Sequence, residues 1–282
     1  EGASGSLRKA SALSEHYRRR SPAAALELAA SALEVDEGAP PLGHGALGPT
    51  VRARSACGRD VAVTRLRALS DRHGLCDVGA LDALVAALDA AAELRHPHVV
   101  ALLGACTRPP ALLAVHELAQ GSVASLIDER AACLRGRGAL RLALDAAEGL
   151  AFLAERGAAP AELTARACLL FARPDGSVTP PVAKVRAPCL RRFADRTAAV
   201  AGPDAYVAPE RAAGEGGGGS GGESEGEGGD AAAAADVYSF GVLLNAMLRR
   251  ERPYAHLVAQ GRRTLHELPR LVSRGARPLV AM

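Results

Sequence analysis

The sequence predicts an α+β fold in which most strand-forming segments precede Leu118 and most helical segments follow it. Three observations carry this expectation. Short apolar or β-branched runs stand at Val61-Ala62-Val63, Val99 to Ala105 and Leu112 to Val115, and Arg108-Pro109-Pro110 makes a turn between the last two. Leu140 to Leu153 has apolar residues at 140, 144, 147, 150 and 151, the recurrence of a helix with one buried face. Asp236 to Leu248 is apolar on almost every side and reads as an enclosed core helix, too short to cross a bilayer. In that helix Asp236 is the expected N-cap; Val237, Phe240, Gly241, Leu244 and Leu248 fall at helical spacing, and Val242, Leu243 and Met247 fill the flanks.

Bulk properties narrow the function classes. The chain has 282 residues, enough for one large domain or two lobes sharing a cleft. Lys and Arg number 34 against 31 Asp and Glu, a net charge of +3, which argues against a nucleic-acid partner and against membrane electrostatics. With 49% hydrophobic residues but only 3% aromatic and no Trp, the core must be built of Ala, Leu and Val, and its stability should be modest. The six cysteines (Cys57, Cys76, Cys106, Cys133, Cys168, Cys189) form no C-x-x-C pair, and the eight histidines form no ligand-spaced cluster. Reduced thiols, no structural metal and an intracellular, cytoplasmic setting are expected. There is no signal peptide and no long apolar span, so no direct membrane insertion is expected of this segment; the chain opens at Glu1, which leaves room for a targeting segment or a longer protein around it.

In chain order, residues 1–38 read as a flank that is helical or disordered, with a solvated basic run at Arg18-Arg19-Arg20 and an alanine-rich helix from Ala23 to Leu33. Gly43, Gly45 and Gly48 then form G-x-G-x-x-G, whose missing β-carbons allow a backbone to approach phosphate. A dinucleotide-binding turn would run straight into a helix, whereas these glycines lie between two extended segments. Val78 to Glu93 reads as a helix, with His96 and His98 beyond it as structural residues. Glu215 to Ala235 is a Gly, Ser and Glu tract ending in alanines, with too little apolar surface to offset its ordering entropy, and is expected to be a disordered inserted loop.

The wording of several segments resembles one family. Asp236-Val237-Tyr238-Ser239-Phe240-Gly241-Val242 resembles the central helix of the protein-kinase large lobe, and Ala208-Pro209-Glu210 matches the end of the family's activation segment. Arg95-His96-Pro97-His98-Val99-Val100, followed by Leu102-Leu103-Gly104-Ala105-Cys106, is similar to the join between regulatory helix and fourth strand in the tyrosine-kinase-like group. Leu140 to Leu153 resembles the helix before the catalytic loop, and the ordered set runs from Leu42 to Pro278. The resemblance implies a bilobal protein-kinase-like fold: a β-rich N-lobe at 39–117 and a mainly helical C-lobe at 118–282, with a disordered insertion at 214–235. It also implies that the final C-lobe helices, which supply the usual arginine partner of Glu210, lie outside this sequence. Gly43, Gly45, Gly48, Ala62, Glu117 and Ala119 would be the nucleotide-binding positions, with His116 behind the adenine.

The same resemblance exposes departures at the chemistry. Thr64 stands where the family's phosphate-holding lysine should be, and the neighbouring Arg65 should point to the other face of the strand. Ala87 stands at the position of the lysine's glutamate partner, and neither Asp82 nor Asp89 lies one turn away in the needed direction. Glu162 replaces the catalytic aspartate, Ala167 the metal-binding asparagine and Ala187 the metal-binding aspartate. Pro160 and Pro188 stand where His and Phe are usual, and Lys184 matches an ordinary strand lysine. The expectation is a pseudokinase with no catalytic residue beyond the degenerate Glu162, no metal site and no required cofactor, with at most weak, metal-independent ATP binding. Such a domain would act as a binding or allosteric signalling module for protein partners. The competing readings are a weak or unconventional ATP-dependent Ser/Thr/Tyr kinase using Glu162, and a decayed, truncated gene product.

Overall fold

The computed structural model describes residues 25–36, 38–45, 47–66, 78–108, 111–160, 163–173, 181–190, 205–214, 229–259 and 267–280. It divides into two compact units: a sheet unit of Glu1–Arg95, Val100–Leu118 and Ala187–Val200, and a helical unit of His96–Val99, Ala119–Arg186 and Ala201–Met282. The strand-rich and helix-rich portions are therefore segregated as the sequence predicts.

In the sheet unit, β1 (Leu33–Val35), β2 (Gly43–Gly45), β3 (Gly48–Ser55), β4 (Asp60–Arg65), β5 (Leu102–Cys106) and β6 (Leu113–Glu117) form one sheet. Its order is β1-β3-β4-β6-β5, with β2 paired to β3 and every pairing antiparallel. Side chains alternate between the two faces of a strand, so each strand feeds two cores. Val61, Val63 and Val115 pack with Leu33, Val51 and Ala53 on one face. Leu66, Ala105, Leu112 and Ala114 pack on the other against Leu84, Ala87 and Leu88 of α1 (Val78–Glu93). Leu84 and Leu88 are fully buried, which stabilises the unit by about 1.5–3 kcal/mol for each side chain.

The chain before residue 39 departs from expectation. A solvated helix is expected over Ala23–Leu33, but in its described part Glu27 bridges Ala105 in parallel, and the Leu28 amide donates to the Ala105 carbonyl at 2.8 Å. A 3-10 turn at Ala30–Ala32 then leads into β1, which pairs with Ala53–Ser55. Alanine is the strongest helix former, but propensity yields to tertiary packing, and here burial overrides it: Leu28 and Leu33 cover the first core, while the Glu27 carboxylate accepts from the Thr107 amide (3.2 Å) and hydroxyl (2.9 Å). Gly104 is the receiving position, since a β-carbon there would meet Leu28 Cγ at 2.8 Å. The sheet unit thus reaches back to Glu27, ahead of the predicted boundary at 39, while Arg18-Arg19-Arg20 lies outside the described residues.

The helical unit holds α2 (Val123–Asp128), α3 (Arg137–Glu155), α4 (Pro209–Gly214), α5 (Gly229–Arg249), α6 (Ala255–Ala259) and α7 (Leu268–Ser273). A small sheet of β7 (Gly121–Ser122), β8 (Cys168–Phe171) and β9 (Val182–Val185) completes it. A Ser122/Ser125 capping box starts α2.

Two helices present faces other than those predicted. In α3 the buried residues are Ala139, Leu142, Ala143, Asp145, Ala146, Gly149 and Leu153, whereas Leu140 and Leu144 are 55% and 51% exposed and Ala151 is exposed. Leucines at 140, 142 and 144 offer two apolar stripes, and Gly149 decides between them. A β-carbon at Gly149 would strike the His98 carbonyl and meet Val185 Cγ2 at 2.8 Å, so this face alone can approach so closely. Asp145 is on that face because its carboxylate accepts the Ala183 amide at 3.1 Å.

The central helix α5 begins at Gly229, so Asp236 is interior to it and not an N-cap. Residues 229–235, predicted as the end of a disordered insertion, are two helical turns, which their alanines favour. Gly214 closes α4, and 215–228 lie outside the described residues. Val242, Leu243, Ala246 and Met247 are buried, while Val237 is 71% exposed, Leu248 is 42% exposed and Gly241 is exposed. A helix that is apolar all round carries no directional signal, so the sequence could not select its inner face. Ser239 orients it: its hydroxyl lies 2.8 Å from the Tyr206 carbonyl and 3.0 Å from that of Ala235. Among the described residues no helix is long and apolar enough to cross a membrane.

Candidate functional site

The sheet-unit residues of the predicted site are set by strand register. Gly43 pairs with Thr50 and Gly45 with Gly48, so the glycines form a hairpin between extended segments. Gly48 has φ 135°, which side chains with a β-carbon rarely adopt, and a β-carbon on Gly43 would meet nothing within 4 Å. On β4, Ala62 pairs with Arg52 and His116 and is half-buried. Two residues on and on the same face, Thr64 is 2% exposed, and its Oγ1 lies 2.9 Å from Oγ1 of Thr50. Arg65 falls on the opposite face by strand alternation.

At the other wall of this region α1 presents no carboxylate at position 87. Ala87 is 6% exposed and packs with Leu66, Leu84, Leu88 and Leu190. Ala187 is half-buried. Glu117 is bound to the start of β5's approach: its amide donates to the Ala101 carbonyl at 3.3 Å and its carboxylate accepts the Ala101 amide at 2.9 Å.

In the helical unit, Ala119 is half-buried, and the next residue, Gln120, donates its amide to the Leu170 carbonyl at 2.8 Å. The 163–167 loop is anchored by buried Leu163 and Ala165 and by the Ala124 amide, which donates to the Ala165 carbonyl at 3.0 Å. Tyr206 hydrogen-bonds the Ala165 backbone, and its burial pushes the phenol pKa well up. Ala167 turns its amide inward to the Thr164 carbonyl (3.0 Å) and hydroxyl (3.1 Å). Glu162 lies outside the described residues.

His96 and His98 serve the packing of α3. His96 stacks on Phe152 at 4.6 Å, and its pKa is lowered chiefly by burial and then by His98. His98 Nδ1 lies 3.1 Å from the Ala183 carbonyl, and its Nε2 is 3.2 Å from Glu148. The Lys184 ammonium sits 4.6 Å from the centre of the Phe171 ring, a cation–π contact. Cys168 is fully enclosed and its thiol is pushed up to about 12 by burial; Cys57, Cys106, Cys133, Cys168 and Cys189 are all free. Among the described residues no group of three or more His, Cys, Asp or Glu side chains is arranged to hold a metal ion.

Sequence reading missed two members of this arrangement. Thr50 is found by counting outward from the Gly58 turn, which sets it opposite Thr64. Leu190 had no local signal, because its place on the α1 cluster depends on long-range packing.

Residues 39–273 match the sequence profile of the protein tyrosine and serine/threonine kinase family. The chain belongs to this family. Its sheet unit is a protein-kinase N-lobe and its helical unit a C-lobe, and the Glu27–Val35 segment precedes the matched span. The chain is 29% identical over 163 residues to dual specificity testis-specific protein kinase 1 of Rattus norvegicus, covering 56% of this chain and 24% of that protein. It is 29% identical over 239 residues to probable serine/threonine-protein kinase drkD of Dictyostelium discoideum, covering 84% and 16%. Over 62 residues it is 48% identical to probable serine/threonine-protein kinase SIS8 of Arabidopsis thaliana, covering 22% and 6%. The matched regions are thus less than a quarter of each relative's length.

Proposed function

We propose that this kinase-family domain does not transfer phosphate and acts inside the cell as a binding or allosteric signalling module for protein partners. The observation that carries the reading is the Thr64–Thr50 pair. Phosphoryl transfer is catalysed mainly by positioning and by neutralising charge on the phosphates. Thr64 occupies the lysine position, is 2% exposed, and engages its hydroxyl with Thr50 at 2.9 Å. The glutamate position is Ala87, packed in an apolar cluster that Leu190 joins.

This replacement is concerted. Loss of one partner of a buried ion pair strands the other charge, at a cost of about 3–5 kcal/mol. Here both charges are gone, one replaced by a satisfied hydroxyl and the other by apolar packing, which supports a maintained fold over a decaying one. Ala167 and Ala187 leave the two metal positions without an oxygen ligand on the side chain. Removing a single charge-stabilising group typically costs ~10²- to 10³-fold, and such losses do not simply add. Glu162 alone keeps a carboxylate at the base position, and it is the one feature that favours a weak, unconventional kinase.

The family resemblance assigns nucleotide contacts to Gly43, Gly45, Gly48, Ala62, Glu117 and Ala119, and with the phosphate-holding charges replaced these positions support weak nucleotide binding without a divalent ion. Calorimetric titration with ATP tests this: weak heats that magnesium does not change are expected, and tight binding that requires magnesium would contradict it.

A further inference from the structure

The C-lobe carries a cavity that none of the residues discussed above needs. It measures about 420 Å³ and joins the end of α2 to the loop between α5 and α6, lined by Ile127, Asp128, Arg130, Arg250, Arg252 and His256. The backbone around it is unusual. Among the described residues, the non-glycine positions with positive φ are Arg130 (49°), Arg250 (53°) and Tyr254 (59°). The first two line the cavity and the third follows it in the same loop. Arg130 and Arg250 are the left-handed caps that close α2 and α5: the Ala131 amide donates to the Leu126 carbonyl at 2.9 Å and the Glu251 amide to the Ala246 carbonyl at 3.2 Å. Arginine occupies two such positions where glycine would be relaxed, and both side chains contribute to one cavity wall.

The guanidinium groups are braced. Arg252 donates from Nε and Nη2 to the two carboxylate oxygens of Asp128 at 2.6 and 2.8 Å. Arg250 Nη1 donates to the Arg130 carbonyl at 3.3 Å. Arg130 Nη2 lies 3.7 Å from one oxygen of Glu251, whose other oxygen accepts from Arg249 at 3.0 Å. The two carboxylates of the cavity are therefore engaged in positioning, and the lining retains an excess of cation: Arg130, Arg250 and Arg252 against Asp128 and Glu251, with the His256 imidazole beside them. The Arg130 and Arg252 side chains are still 70% and 69% exposed. Each guanidinium has five N–H donors, so these braces leave donors directed to solvent. Buried Ile127 supplies an apolar floor beneath them.

We infer that this cavity binds the phosphorylated side chain of a partner protein's segment. Planar guanidinium groups match phosphate oxygens in charge and in fork geometry. An open depression of about 420 Å³ over an apolar floor admits a phosphoryl group carried on a side chain. A membrane or a nucleic acid would call instead for a broad basic face, and the chain's net charge is only +3. The inference concerns a site apart from the Thr64 region and stands or falls independently of whether the N-lobe supports catalysis.

The test uses the full chain titrated by calorimetry with short peptides centred on phosphotyrosine or phosphoserine, their unphosphorylated counterparts, inorganic phosphate, and phosphatidylserine-containing vesicles. The decisive variant is Arg250→Gly, because glycine relaxes the positive φ while removing the guanidinium. Its thermal midpoint should equal or exceed that of the parent. A phosphopeptide should bind saturably with a Kd below about 1 mM, and binding should weaken about tenfold or more both without the phosphate and in Arg250→Gly; Arg130→Gly should behave the same way. Equal binding by Arg250→Gly, no saturable phosphopeptide binding, or binding only to vesicles or only to inorganic phosphate would overturn the proposal.

Discussion

The hydroxyls of Thr64 and Thr50 lie 2.9 Å apart across β4 and β3, and Thr64 is 2% exposed there. Thr64→Val should strand the Thr50 hydroxyl and cost about 1 kcal/mol, whereas changing both residues to Val should be close to neutral. A double-mutant cycle in urea reads the coupling directly. Thr64→Lys should cost about 3–5 kcal/mol, because the added ammonium would be buried with Ala87 where a carboxylate is needed. Adding Ala87→Glu should recover part of that loss.

Two glycines within helices should respond to alanine with opposite signs. Alanine is favoured over glycine in a helix interior by about 1 kcal/mol. At Gly241, where a β-carbon meets nothing within 4 Å, that gain should appear in full as a higher Tm. At Gly149 the β-carbon meets the His98 backbone and Val185, and this overpacking should cost about 1–3 kcal/mol and outweigh the propensity gain. Equal effects at the two sites would mean that α3 does not approach His98 as described.

The inner face of α5 sets a second ranking. Leu243 is fully buried, so Leu243→Ala should cost about 2–5 kcal/mol. Phe240 is only half-buried and its truncation should cost less than that of Leu243. Val237→Ala, at a position 71% exposed, should fall within about 0.5 kcal/mol of the parent. Chemical denaturation of the three variants checks the order.

Two carboxylates should tilt the pH dependence of stability in opposite directions. The Asp128 pKa is held below its ordinary 3.8, first by the hydrogen bond from Arg252. Its contribution is therefore present above pH 3.8 and lost as the pH falls through the lowered value. Asp128→Asn should be less stable than the parent at neutral pH, with the deficit closing in acid. The Glu27 pKa is raised above 4.5 by burial, against the lowering effect of its Thr107 hydrogen bonds. The folded state then holds this proton more tightly than the unfolded state, so stability declines as the pH rises from 4.5 through the raised value. Glu27→Gln should flatten that decline in a series of thermal melts.

The segments that sequence reading placed correctly are those in which local pattern and tertiary role agree. The β3–β4 hairpin follows from the Gly58 turn between extended runs, and α1 follows from its periodicity and from the Pro97 turn beyond it. Alanine-rich stretches departed from expectation in both directions: of the helix expected over Ala23–Leu33, residues 27–33 form a strap leading into a strand, while 231–235, expected to be disordered, are part of α5. Alanine carries propensity but almost no burial energy, so neighbours such as Leu28 decide its conformation. The faces of α3 and α5 were illegible for a related reason: each is apolar in more than one direction, and the deciding contacts, Gly149 to His98 and Ser239 to Tyr206, are long-range. At the candidate site the residue types at 64 and 87 were legible as substitutions; the Thr50 partner and the Leu190 packing were not.

The most direct test of the proposed inactivity is transfer of radiolabelled γ-phosphate from ATP, with magnesium and then manganese, to the protein itself and to generic protein substrates. Incorporation should stay at the level of the Glu162→Ala variant under every condition. Transfer well above background that Glu162→Ala abolishes would contradict the proposal and make this chain a working kinase.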